Sequence, residues 1–216
     1  MFVGHYAAAL AARAAEPRAP LWSYVAACQL MDIGWGALIM TGAEKFNVDP
    51  DLPGSPLELY HMPFTHSLPG ALAWSVGGAL LARWGLKTPW RASMFVGLAV
   101  FSHWLLDFLV HRPDLELWFG GEKVGLGWWN WPVPEATLEM GLLAAAGAWW
   151  AWARAKRGLS VWPAAVFLLV LTGVQIVSKL APTGDDPVQM GSMAIGVYLT
   201  VTAIAWLVER RPGTVA

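Results

Sequence analysis

Six long apolar stretches constrain this chain more than any other feature: Leu21–Met40, Thr65–Trp84, Trp90–Val110, Glu135–Ala153, Val161–Leu180 and Met190–Val208. A helix needs ~20 mostly apolar residues, each rising ~1.5 Å, to cross a hydrocarbon core ~30 Å thick. Runs of this length read as membrane-spanning helices. The opening stretch Met1–Ala15 is shorter and Ala-rich, and ends near Arg13, Glu16 and Arg18. It lacks the basic segment and longer apolar run of a cleaved signal peptide, and reads as a first short helix packed against the second. The expected fold is all-α, a polytopic transmembrane bundle of about seven helices. It forms one integral-membrane domain, residues 1–216. Composition agrees: 56% of residues are hydrophobic and 13% charged, against ~45–50% and ~25% in soluble domains. Disorder, a basic nucleic-acid binder and a disulfide scaffold are excluded. The lone Cys28 cannot form an internal disulfide.

Lys and Arg in short loops mark the cytoplasmic side. Arg13 and Arg18 precede the second span, and Arg83, Lys87 and Arg91 separate the third from the fourth. Arg154, Lys156 and Arg157 separate the fifth from the sixth, and Arg210 with Arg211 follow the last. The intervening loops are acidic or mixed. This alternation predicts an N-terminus outside and a C-terminus inside. Of the outer loops, His111–Pro134 is glycine-rich and carries the run Trp128–Trp131, which reads as an aromatic belt at the membrane surface.

Ionisable groups inside spans are costly and demand an account. Asp32 lies within the second span. His103 and Asp107 lie four apart on one face of the fourth. His5 lies in the short first helix and His66 opens the third span. All five histidines, with His61 and His111, precede residue 112. From the basic turns, a rise of 1.5 Å per residue puts His5 and Asp32 ~20 Å up, His103 ~24 Å, and Asp107 and His66 ~30 Å. Two hairpins thus bring three histidines and two aspartates to the outer half of the bilayer. Such a donor set suits a borderline divalent cation, Zn²⁺ or Mn²⁺, as one ion or two. The cation also compensates the buried carboxylates. His61 is either a further ligand or a loop residue. His111 continues the same face and is either a residue of the membrane surface or a supporting group or second-metal ligand, and Glu139 is either a supporting group or a cap-region acid.

The order GHYAAALAA, an Asp in the second span, HMPFTHSL and SHWLLDFL resembles the YdjM-like family of bacterial inner-membrane, metal-dependent hydrolases. His5 matches the family's GH start and Asp32 the leading acid of its PDxDH-like segment. His61, Phe64, Thr65 and His66 match HxxFTHS, and His103 with Asp107 match SHxxxD. The likeness covers roughly residues 1–130, leaving residues 131–216 as three further membrane helices. Gly34 and Trp35 stand where the family has a second Asp and a His. The family is itself similar to helical zinc-dependent phospholipases, which implies hydrolysis of a phosphoester or lipid-like ester in the inner membrane.

These readings give one leading expectation. His5, Asp32, His66, His103 and Asp107 hold a divalent metal that lowers the pKa of water from 15.7 towards ~7. Asp107 or Asp32 accepts the proton, and an amphiphilic substrate enters from the lipid bilayer. Two rivals stand beside it, a divalent-metal transporter and a non-catalytic protein stapled by a structural metal.

Overall fold

The computed structural model describes residues 1–210; Arg211, part of the last basic cluster, lies outside the described residues. The helices are α1 (His5–Ala15), α2 (Leu21–Cys28), α3 (Leu30–Met40), α4 (Leu68–Trp84), α5 (Trp90–Val110), α6 (Pro132–Ala155), α7 (Trp162–Leu180) and α8 (Pro187–Arg210). Hairpin β1–β2 (Lys45–Val48, Leu57–His61) links α3 to α4. Hairpin β3–β4 (Leu115–Glu116, Lys123–Val124) lies between α5 and α6. Eight helices replace the expected seven because Leu21–Met40 breaks at Gln29 and bends by 47°. The last carbonyls of a helix have no partner within it. Here the Cys28 carbonyl, at the end of α2, accepts a hydrogen bond from His103 Nδ1 at 2.8 Å. The break also starts α3 so that Asp32 sits in its first turn.

By length and composition α5, α7 and α8 can each cross a bilayer, and the bent α2–α3 pair makes a fourth candidate. The α4 helix has 17 residues, and α6 carries Glu135 and Glu139 in its first two turns. The short first helix is not peripheral. Its alanines 7, 9, 12 and 14 are buried, which lets α1 pack closely against α2, α5 and α6 together. At one end of the bundle lie the basic clusters that the sequence places between its spans. Arg13 Nε donates to Glu209 at 2.6 Å, and Glu16 accepts from Arg18. The Arg18 hydrogen bonds hold the Glu16 carboxyl down to about 2. The other end carries both hairpins and the histidines.

The last helix is joined to the first half of the chain by small residues. A Cβ on Gly191 of α8 would stand 2.3 Å from the Gly36 carbonyl oxygen and 2.7 Å from Met40 Cγ. Backbone cannot yield there as a flexible side chain can. Gly191→Leu is therefore expected to lower stability by about 1–3 kcal/mol. A detergent thermal melt checks it, and an unchanged midpoint would mean that α8 does not sit against α3.

Candidate metal centre

Asp107, one turn from the end of α5, is the hub. Its Oδ2 lies 3.0 Å from His103 Nε2 and 3.6 Å from His66 Nε2. Its Oδ1 lies 3.1 Å from His5 Nε2, 3.3 Å from His111 Nε2 and 3.0 Å from the Met1 amino nitrogen. Asp32 Oδ1 closes the group, 3.4 Å from His66 Nε2 and 3.3 Å from His103 Nε2. The five residues expected as ligands thus meet from α1, α3, the turn before α4, and α5. Two overlapping triads have donors spaced to hold an ion: His5, His103 and Asp107, and Asp32, His66 and His103.

The surroundings fix which imidazole nitrogen faces inward. A carbonyl only accepts, so His103 Nδ1, bonded to Cys28 O, carries the proton. Thr65 Oγ1 donates to Glu44 Oε2 at 2.6 Å and accepts from His66 Nδ1 at 2.7 Å. His111 Nδ1 donates to Asp114 Oδ1 at 2.9 Å. Each Nε2 therefore offers a lone pair towards the carboxylates, the usual arrangement of metal-binding histidines. The buried Nε2 atoms of His5 and His103 make no hydrogen bond. Buried polar atoms normally find partners, and lone pairs facing carboxylate oxygens call for a cation between them. The residues present fit a divalent metal.

Local sequence explains the positioning. Ser67 caps α4, its hydroxyl accepting from Gly70 N at 3.1 Å, with Pro69 in the first turn. His66 therefore sits just before the helix, not as its first residue. Glu44 holds this turn with bonds to Phe64 N at 2.8 Å and Thr65 N at 2.9 Å. Glu139 is a cap-region acid, though not for its own helix: it accepts from Phe2 N and Gly4 N and so anchors the start of α1, beside His5. Gln175 of α7 donates to its other oxygen.

The structure decides between several alternatives. His111 is buried and faces Asp107, which excludes the reading that put it at the membrane surface and agrees with a supporting role. His61 lies on β2 opposite Lys45 and joins neither triad. The Cys28 thiol donates to Val25 O at 3.2 Å, so only the backbone of that residue serves the site. Trp129 leaves the aromatic run to lie against His111, ring centres 4.0 Å apart. Sequence reasoning missed Glu44, Asp114 and Tyr198, whose hydroxyl donates to Asp32 Oδ2 at 2.7 Å. Only Asp114 carried a signal, three residues after His111. A Cβ on Gly34 would meet Trp74 and Thr65, and Trp35 is buried with its Nε1 unpartnered.

A cavity of about 920 Å³ opens from this cluster between α3, α7 and α8. Asp32, His66, Asp107, His111 and Tyr198 stand at its polar end, and Val174, Val197 and Ile204 are among its apolar walls. Lys179 is the one Lys or Arg in its lining, 3.4 Å from Glu135.

Fold and site together define a helical protein with apolar candidate spans and a buried His/Asp cluster able to hold a metal. The family model described as YdjM inner membrane protein matches residues 1–208, and the chain belongs to that family. The match runs well past residue 130, so the last three helices are part of the family unit. Searches of curated proteins and of solved structures return no match.

Proposed function

We propose that the protein is a membrane-embedded, metal-dependent hydrolase of a lipid-like phosphoester or ester. The observation that carries this reading is the adjacency of the inward-facing imidazoles to a cavity of about 920 Å³. That is near the upper end of the ~300–1,000 Å³ typical of small-molecule sites. Its walls are mainly apolar, and Lys179 offers one cation for a phosphate.

His5, His66, His103 and Asp107 are the residues to hold the metal, with Asp32 on the cavity side. A divalent ion supplies Lewis acidity there, acidifying water and polarising an ester or phosphoryl oxygen. Asp32 is the better placed proton acceptor, because its side chain is 15% exposed against 2% for Asp107. Tyr198 holds Asp32 Oδ2, leaving Oδ1 directed at the cluster. Asp32 takes the proton as water adds to the ester, and returns it to the departing alcohol. Asp107, enclosed by four imidazoles, is the less accessible of the two to water.

The basic clusters gather at the end of the bundle opposite this site. By the positive-inside rule that end is cytoplasmic, which puts the site towards the outer face of a multi-pass inner-membrane protein. Among the described residues both metal-capable triads lie at the site end. No stepping stone of that kind leads onward, which favours hydrolysis over transport.

Purified protein in detergent micelles, supplied with Zn²⁺ or Mn²⁺, is expected to release product from amphiphilic phosphoesters or carboxylic esters. A chelator and His103→Ala should each abolish release. Turnover that survives both, or no turnover across the whole substrate panel with metal bound, would overturn the proposal.

A further inference from the structure

Two buried polar groups in the lining of the large cavity have no hydrogen-bond partner among the described residues. Trp35 Nε1 on α3 is a donor, and Gln175 Oε1 on α7 is an acceptor. We infer that the cavity takes an amphiphile whose head group carries a phosphoryl or ester oxygen for Trp35 and, beyond it, a hydrogen-bond donor for Gln175. This rests on the hydrolase reading and deepens it, by naming the substrate class of the same cavity.

The surroundings fix both roles. An indole N–H only donates. An amide can turn either way, but Gln175 Nε2 donates to Glu139 Oε2, and a carboxylate only accepts. Glu139 is held in turn, because its other oxygen takes Phe2 N and Gly4 N. Gln175 is therefore committed to presenting its oxygen. The two residues are 7% and 6% exposed. Buried polar atoms normally find partners, and a ligand in the cavity supplies both.

Their places order the ligand. Trp35 follows Asp32 by three residues on one face of α3, so its partner is an oxygen beside the metal centre. Gln175 connects to that centre through Glu139 and the start of the chain, whose amino group bonds Asp107. One turn beyond Gln175, Lys179 with Glu135 extends the polar wall. In the other direction along α7 the lining becomes apolar, with Val174 and Val170, and Val201 and Ile204 of α8 share it. The lining residues of α8 from Met190 to Ile204 extend ~21 Å. Gly173 and Gly196 also belong to the lining, and a Cβ on either would meet nothing within 4 Å. That room suits an alkyl chain running from the polar groups towards the basic end of the bundle.

The test uses phosphinate amphiphiles, whose P–C bonds resist hydrolysis, titrated into the full chain in nonionic micelles with Zn²⁺. Four head groups are compared on one alkyl chain: aminoethyl, hydroxyethyl, trimethylammonioethyl and propyl. The first two carry a donor, and the last two match them in charge and in shape without one. Wild type should bind each donor-bearing compound ~10–100-fold more tightly than its match. Gln175→Leu and Gln175→Asn should each bring the matched compounds within about twofold of one another. Trp35→Phe should weaken all four alike and keep the preference. Helical circular dichroism and a monodisperse elution profile exclude misfolding as the cause. Equal affinities in wild type, an order set by charge alone, a preference that survives both Gln175 variants, undiminished affinity in Trp35→Phe, or no binding at all overturns the inference. Ester turnover without head-group preference in binding leaves the hydrolase proposal standing alone. Preference in binding without turnover of any ester leaves the ligand class standing and sinks the hydrolase.

Discussion

Asp107→Ala is expected to remove essentially all tightly bound divalent metal. Among the described residues no other carboxylate stands within 4 Å of so many imidazoles: His5, His66, His103 and His111 all face its two oxygens. Its replacement leaves the imidazoles without the anion that neutralises a cation in a buried place. The loss of affinity should exceed the ~10–100-fold that replacing a supporting group costs. Metal analysis after gel filtration reads it directly. Asp107→Asn, which keeps the volume but not the charge, should lose nearly as much. Undiminished metal in both variants would mean that the cluster is a network of charged histidines and carboxylates and not a metal site.

Glu44→Gln is expected to weaken metal binding by ~10–100-fold through His66 alone. In the native arrangement the Glu44 carboxylate accepts from the Thr65 hydroxyl, so Thr65 must accept from His66 Nδ1. A Gln amide turned to donate to Thr65 reverses the sequence of donors. The Thr65 hydroxyl then donates to Nδ1, and the proton moves to Nε2, where it blocks coordination. Competition with a chromophoric chelator measures the affinity, and ¹⁵N shifts of the histidines report the tautomer. A dissociation constant within about twofold of wild type, with His66 still protonated at Nδ1, would remove Glu44 from the site. Glu44 is a positioning residue, so an altered tautomer separates this account from a merely structural one.

Most of the site was legible because its chemistry conflicts with its setting. Carboxylates and imidazoles within apolar runs are costly, and the four-residue step from His103 to Asp107 puts both on one helix face. The HxxFTHS segment likewise marked His66. What stayed hidden were the supporting groups. Glu44 looks like an ordinary loop acid and Asp114 carried only its three-residue step from His111, yet both direct a histidine. Tyr198 looks like any aromatic residue on a span. The place of His111 stayed open because the sequence does not reveal that the loop after α5 folds back. Arg112 of that loop reaches the Pro53, Ser55 and Leu57 carbonyls, and Trp129 closes over the ring.

By itself the sequence determined the helical character, the approximate limits of the apolar segments and the ligand types. Those follow from local hydrophobicity, spacing and the cost of burying charge. Only the tertiary structure decided that Leu21–Met40 breaks at Gln29, and that the freed Cys28 carbonyl orients His103. It also decided that the central first helix presents His5 to Asp107, and that four imidazoles divide between the two oxygens of one carboxylate. Those outcomes depend on packing between segments as far as 196 residues apart, such as Arg13 with Glu209, and no local pattern encodes them.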